Sequence, residues 1–187
     1  MTVQDSVGMT VLHDFICSRR SIQGILELLS ESQRLPAVEM RTSLGETVLN
    51  MAASTRNIES IKDILALYPE SQRLQAVCTV AGFLGTALHR AAESEHTMKT
   101  ILGLIPQSQH SQALCTENGE GDNVLFWAAR CNNFKALYNI LSSLPASQRW
   151  QFANMQDHYG DTLLDLVHSP TRDSIMIMEL LPERMSD

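Results

Sequence analysis

The chain has 187 residues, 44% hydrophobic and 19% charged, with a formal net charge of -7 and a pI near 5.3. This composition can build a core and excludes a disordered acidic tail, and the acidic balance disfavours a nucleic-acid backbone, which calls for clustered Lys and Arg. No apolar run reaches the roughly 18 residues that span a bilayer, and the opening MTVQDSVGMT has neither the basic nor the apolar region of a Sec-type signal.

Along the chain one nine-residue phrase recurs: GMTVLHDFI at Gly8, GETVLNMAA at Gly45, LGTALHRAA at Leu84, GDNVLFWAA at Gly121 and GDTLLDLVH at Gly160. Its third residue marks each unit: Thr10, Thr47, Thr86, Asn123, Thr162, in steps of 37, 39, 37 and 39. A fixed period of this size means one supersecondary unit stacked on itself. Contacts in such arrays pass between neighbours and make a single elongated domain. The expected domain is 1–187, about four and a half units at approximately 8–44, 45–83, 84–120, 121–159 and 160–187.

Each unit reads in three parts. The marker opens a first helix, its hydroxyl or amide placed to cap free backbone N–H groups; paired alanines (Ala52–Ala53, Ala91–Ala92, Ala128–Ala129) let the next helix approach closely. A second helix follows, its Ile and Leu at i, i+3, i+4 spacing, in GILELL, DILALY, TILGLI, NILSSL and MIMELL. Then comes a punctuation phrase: SESQR at Ser30, PESQR at Pro69, PQSQH at Pro106, PASQR at Pro145. Proline suits a first helical turn and breaks an interior. The second helix therefore ends here, and a short extra helical turn follows. The alternating step places two extra residues between or within the paired helices of units 2 and 4, near Thr55–Ile58 and Asn132–Lys135, which suggests a duplicated double unit.

Cys17, Cys78, Cys115 and Cys131 form no C-x-x-C motif. Cys78 and Cys115 hold equivalent positions in adjacent units, about 8–10 Å apart, beyond the ~7 Å a disulfide spans. Four reduced thiols in a reducing, cytoplasmic compartment are expected.

These phrases resemble the ankyrin repeat, whose signature is T-P-L-H-x-A-A after a D-x-x-G finger. Leu84–Ala92 carries the closest helix match, and Asn154–Thr162 fits the finger pattern N-x-x-D-x-x-G-x-T. The resemblance covers nearly the whole chain and implies an all-α solenoid of stacked helix pairs with finger loops, here with the extra turn per unit. The chain departs from the family in its longer period, in Val48, Ala87, Val124 and Leu163 at the usual proline, and in lacking the glycine between helices. Expanded arrays with a repeated L-P-x-S-Q-R phrase resemble effectors that intracellular bacteria deliver by type IV secretion. That implies a host protein as partner and translocation into the host cell; the C-terminal tail suits such a signal or a solvated helix end equally.

In the resemblance, His13 and His89 are structural residues bonding to a neighbouring finger. The Gln and Arg or His of the punctuation phrases form a ladder, read as framework at helix ends or as a basic stripe. Residues four, seven and eight after each marker would face the concave groove: Asp14, Cys17, Ser18; Met51, Ser54, Thr55; Arg90, Glu93, Ser94; Trp127, Arg130, Cys131. A binding site belongs where units differ. Arg90, Trp127 and Arg130 are residue types that dominate interface hot spots; Trp127 reads equally as a packing residue. The fingers add Val80, Phe83 and Leu84, then Glu117 and Glu120, then His158 and Tyr159; Phe83 is either tucked onto its neighbour or offered to a partner. The expected binding set is Met51, Thr55, Phe83, Arg90, Glu93, Trp127, Arg130, His158 and Tyr159.

The chain has no nucleophile elbow, P-loop or dinucleotide turn, and ENGEGDN lacks the ligand spacing of a calcium loop. No metal or cofactor is expected. The first reading is a monomeric, non-enzymatic module that binds a protein. Two others stay open: the targeting arm of an enzyme whose catalytic domain lies outside this chain, and a small hydrolase using Cys131 or Cys17 with a histidine. Unit 5 is apolar and a poor terminal cap, so the short tail covers it or the sequence continues.

Overall fold

The computed structural model describes residues 3–167 and 172–181. Every marker starts a helix, and the reason is local. The Thr47 hydroxyl accepts from Asn50 N–H (3.3 Å) while Thr47 N–H donates to Asn50 Oδ1 (3.1 Å). Two donors that a helix start leaves free are thus satisfied reciprocally. Thr86 pairs with His89 and Thr162 with Asp165 in the same box. Unit 4 solves the problem alone: Asn123 Oδ1 accepts from both Leu125 and Phe126 N–H at 2.9 and 3.0 Å. Its third residue is then released from polar duty and is Phe126, 2% exposed.

The first helices are α1 (Val11–Cys17), α4 (Val48–Ser54), α7 (Ala87–Ala91), α10 (Val124–Arg130) and α13 (Leu163–Leu166). The second are α2 (Gln23–Leu28), α5 (Ile58–Ala66), α8 (Glu95–Gly103), α11 (Phe134–Ser143) and α14 (Arg172–Leu180). The first helices stack in one row, α1 on α4 through to α10 on α13; α5, α8, α11 and α14 stack in a second. The alanine pairs are buried. The i, i+3, i+4 stripes Ile61–Ile64–Leu65, Met98–Ile101–Leu102 and Leu137–Ile140–Leu141 form the core, each such side chain contributing about 1.5–3 kcal/mol by burial.

The extra turn is longer than the phrases suggest. It is a third helix in each of the first four units: α3 (Glu31–Glu39), α6 (Glu70–Val77), α9 (His110–Cys115, entered by a 3-10 turn at Gln107–Gln109) and α12 (Ala146–Asn154). Ser30, Pro69, Pro106 and Pro145 precede these elements as caps. The third helices reach the following unit, α3 on α4, α9 on α10 and α12 on α13. In the first three units the Arg or His of the punctuation phrase is framework, whereas Arg149 Nε in unit 4 is buried without a hydrogen-bond partner. Arg34 Nε donates to Leu29 O, Arg73 to Leu65 O and Leu104 O, and His110 Nε2 lies 2.8 Å from Leu102 O. These are carbonyls that second helices leave free at their ends.

The units do not alternate as a duplicated pair. Units 1 and 3 are short for different reasons. In unit 1 the second helix has six residues, against nine or ten in α5, α8 and α11. In unit 3 it is the first helix that is shortened, to five residues against seven in α1, α4 and α10, and three residues separate its pair as in units 2 and 4. Units 1, 2 and 4 each place a non-glycine residue in the left-handed region between the paired helices: Arg19 (φ 54°), Arg56 (φ 59°) and Asn132 (φ 55°). These occupy the place of the absent glycine. Asn tolerates this conformation, whereas Arg pays about 1–2 kcal/mol for it. Arg56→Gly is therefore expected to raise the unfolding free energy by about 0.5–1 kcal/mol in urea titration, after the entropy lost by glycine. Its ion pair to Glu93 (3.4 Å) is exposed on both sides and offsets little. An unchanged or lower midpoint would refute the strain.

At the C-terminal end α14 packs on α11 and buries Ile177 and Leu181, leaving Ile175 and Met178 50% and 44% exposed. The tail expected to cover this unit or carry a signal, 182–187, lies outside the described residues. No helix among the described residues is long and apolar enough to cross a membrane.

Candidate functional site

Each finger is a turn built around the residue five before the marker. Asp5 Oδ1 accepts from Val7 and Met9 N–H, Asn118 Oδ1 from Glu120 and Asp122, and Asp157 Oδ1 from Tyr159 and Asp161, all at 2.8–3.0 Å. Such side-chain bonds two and four residues on organise a tight loop. Thr42 does so more weakly, to Glu46 at 3.2 Å. Finger 3 has Ala81 there and cannot; it instead makes a 3-10 turn at Gly82–Leu84. The fingers lean on one another: Ser43 N–H donates to Val7 O and Gly119 N–H to Gly82 O, each at 2.9 Å. A Cβ on Gly119 would sit 2.9 Å from the Gly82 backbone, so this approach requires glycine.

One histidine ties helix to finger by a hydrogen bond, and a second faces the next finger without one. His89, 1% exposed, accepts Thr86 N–H at Nδ1 (3.1 Å), which leaves the proton on Nε2 to donate to Asp122 O in the next finger (3.0 Å). His13 makes the same box with Thr10; its Nε2 lies toward the Glu46 backbone without reaching hydrogen-bond geometry. Burial pushes both rings below the usual histidine pKa. Asn50 takes this role in unit 2, reaching Gly85 O at 3.3 Å.

The expected groove residues fall into two groups. Arg130, His158 and Tyr159 come together with Trp127 near them. Arg130 Nε bonds Asp122 Oδ1 at 2.9 Å, its Nη2 pairs with Asp157, and its guanidinium lies 5.2 Å from the Tyr159 ring centre. Burial opposes the Arg130 charge, and Asp122 and Asp157 outweigh it, so its pKa is raised. His158 rests against Gly121 and tilts on Tyr159 at 5.2 Å. Tyr159 is 75% exposed. Trp127 is half-buried and meets His89 edge-on at 6.4 Å, so it is packing residue and surface at once.

The others stand apart. Arg90 Nε lies 3.3 Å from Glu46 Oε1, yet neither atom finds a well-aligned hydrogen bond, so the pair is held by charge alone. Glu93 faces Arg56 at the exposed surface. Met51 is half-buried against the core, and the Thr55 hydroxyl turns back to Met51 O at 2.9 Å. Phe83 is 55% exposed and not tucked away.

The pins Asp122 and Asp157 are not marked by any local pattern: one stands eight residues before Arg130 and the other 27 after it. Val7 and Leu44 were also missed, although each stands three before its marker, as Phe83 and Tyr159 do.

The hydrolase reading finds no support in the thiols. Cys17 and Cys131 both sit above the ordinary thiol pKa, raised by burial and then by Asp14 and Glu46 or by Glu93 and Asp122. A nucleophilic thiolate needs the opposite. Among the described residues no group of three His, Cys, Asp or Glu could hold a metal ion.

No protein-family model and no curated protein matches the chain. Solved structures do. The chain is similar to one in the complex of the Bd0816 predatory endopeptidase from Bdellovibrio bacteriovorus with immunity protein Bd3460 (TM-score 0.68, 19% identity, 95% of this chain and 84% of that chain). It is similar to an ankyrin repeat domain from Acinetobacter baumannii AYE (TM-score 0.67, 18% identity, 95% and 82%). A third is the ankyrin repeat domain of Bcl-3, a member of the IkappaB protein family (TM-score 0.64, 17% identity, 94% and 69%). At these identities the likeness is one of fold: the chain is an all-α solenoid with the ankyrin-repeat architecture.

Proposed function

We propose that residues 1–187 act as one repeat domain that binds a partner protein through the first-helix ends and finger loops, with no catalytic step of its own. The observation that carries this reading is the Arg130–Tyr159 cluster. Framework positions repeat from unit to unit, whereas this cluster occurs once, and two buried carboxylates fix its guanidinium under an exposed ring. Binding then forgoes about 0.5–1.5 kcal/mol of ordering cost per side chain already held. The solved complex of an endopeptidase with an immunity protein supports a protein as the ligand of this architecture. The repeated S-Q-R phrase, resembling arrays delivered by intracellular bacteria, supports a host protein and an effector role.

The test is capture from eukaryotic lysate with mass spectrometry, wild type beside the variant Trp127→Ala/Tyr159→Ala, which removes the exposed ring of the cluster. Arg90 is left alone, since Arg90→Glu would set two carboxylates together. A partner retained by wild type and reduced at least about tenfold in the variant, roughly 1.4 kcal/mol, is the expected result. Equal retention by a variant with unchanged helical CD would refute the groove.

A further inference from the structure

The seam between the second helices of units 3 and 4 is open where the preceding seam is spanned by an arginine. Between units 2 and 3, Arg73 Nε donates to Leu65 O near the end of α5 (3.1 Å), and its Nη1 crosses to Leu104 O at the end of α8 (3.3 Å). One unit on, the same place in the punctuation phrase holds His110. Its Nε2 meets Leu102 O, the counterpart of Leu65 O, at 2.8 Å. The imidazole is too short to cross. Ser143 O, the counterpart of Leu104 O, receives no hydrogen bond among the described residues. The seam holds a cleft of about 220 Å³ between α8 and α11, walled by Met98, Leu102 and Ile140. A second hollow of about 290 Å³ adjoins it at Gln107, His110 and Ser143. Gly103 keeps the cleft clear, where the other units have Ala66 and Ser142. Its φ lies outside the left-handed region and a Cβ built on it meets nothing within 4 Å. Neither backbone nor packing therefore calls for glycine, which weakens a helix relative to alanine.

The lining selects the occupant. Acceptors gather at the end shared by the two hollows. His110 Nε2 carries the ring proton toward Leu102 O, which leaves Nδ1 an acceptor. Ser143 O and the Gln107 amide oxygen stand beside it, and neither takes a hydrogen bond among the described residues. The one lysine lining the cleft does not supply the missing donor. Lys99 is held by Glu95 at 2.6 Å, toward the other end of α8. The occupant that fits has an apolar stem and a flat head rich in donors. An arginine side chain has both: methylenes that lie along apolar surface and a planar fork of N–H groups. The chain itself places one in the preceding seam.

We infer that the cleft between α8 and α11 takes an arginine side chain of a protein partner, its methylenes on Met98, Leu102 and Ile140 and its guanidinium donating to Ser143 O and His110 Nδ1. The site uses the second-helix row, not the fingers or the first-helix ends, and it rests on the protein-binding reading only for the carrier of the arginine. The probe is N-acetyl-arginine methylamide, blocked at both ends like a residue within a chain. It is titrated into the isotope-labelled full chain and read by amide chemical shifts. Saturable shifts at Gly103, Leu104 and Ser143 are expected, with a millimolar dissociation constant. N-acetyl-lysine methylamide should bind at least about fivefold more weakly, the size of one net hydrogen bond. His110→Arg supplies the guanidinium from the chain itself, and Gly103→Leu fills the cleft from a position with room for a side chain. Each is expected to weaken the probe at least about tenfold with unchanged helical CD; if one fails to fold, the other decides. No saturable shift at these amides, equal binding of the lysine probe, or undiminished binding in the folded variants overturns the inference. If Trp127→Ala/Tyr159→Ala loses a lysate protein while the probe fails to bind, the cleft is wrong and the module stands. If the probe binds as expected and wild type retains no lysate protein, the proposed function falls and the guanidinium site stands.

Discussion

His89→Ala is expected to lower the unfolding free energy by about 3 kcal/mol, and His89→Asn by about 1 kcal/mol or less, in urea titration at pH 7.5. The alanine variant leaves Thr86 N–H and Asp122 C=O without partners in a buried site, at about 1–3 kcal/mol each. It also opens space beneath Trp127, whose ring lies edge-on to the imidazole. Asparagine suffices because unit 2 already uses it: Asn50 accepts Thr47 N–H and donates to Gly85 O, the same two duties. The latch also carries a pH dependence. Burial lowers the pKa of His89 and His13 from 6.5, so below that value the unfolded chain binds more protons than the folded one. Their contribution is complete above pH 6.5 and is lost as pH falls toward the depressed folded values. The slope is at most about 1.4 kcal/mol per pH unit for each ring. Protonation would also turn Nδ1 from acceptor to donor facing Thr86 N–H. His89→Asn should therefore flatten the urea midpoint between pH 6.5 and 5; an undiminished slope would assign acid sensitivity to other groups.

The latch shows what a sequence makes legible. The marker, its third neighbour and the apolar stripes repeat at fixed offsets, so helix starts, helix order and the core could be read from spacing. Recurrence pointed to a helix-end role for the punctuation Arg or His, which units 1 to 3 fulfil and Arg149 does not. The third helices were underestimated because their cores are short and polar-flanked, LPAV or WQFA, and they gain stability by reaching the next unit. The shortening of units 1 and 3 looked equivalent because the period counts residues without saying where two are missing. In the candidate site, residue types could be named but not their ties. Arg130 is expected in the groove as a hot-spot residue type, and nothing local shows that Asp157, 27 residues on, pins it. Arg90 likewise leans on Glu46 in another unit. Such pairs follow from finger stacking, which no local pattern encodes.

Stacking also decides how damage spreads. Ile101→Ala should cost about 3–4 kcal/mol, because the side chain is wholly buried in α8 between α5 and α11 and the space it leaves is only partly refilled. Ile16→Ala removes the same atoms from an equally buried site in α1, yet the expected readout differs. Each unit gains stability from its own fold and from its two neighbours. Among the described residues unit 1 has one neighbour, so in this chain its loss frays an end and leaves the remaining row intact. Unit 3 is the junction of the array, and its finger is the one without a side-chain-organised turn. Weakening it below the coupling between units should split unfolding, giving a shallower or two-step urea transition by CD, while Ile16→Ala keeps one steep transition at a lower midpoint. Hydrogen exchange should show α7 and α8 opening before α4 and α11 in the Ile101 variant. A single transition of wild-type steepness would mean that the third helices, which bridge successive units, couple the array more strongly than the helix rows do.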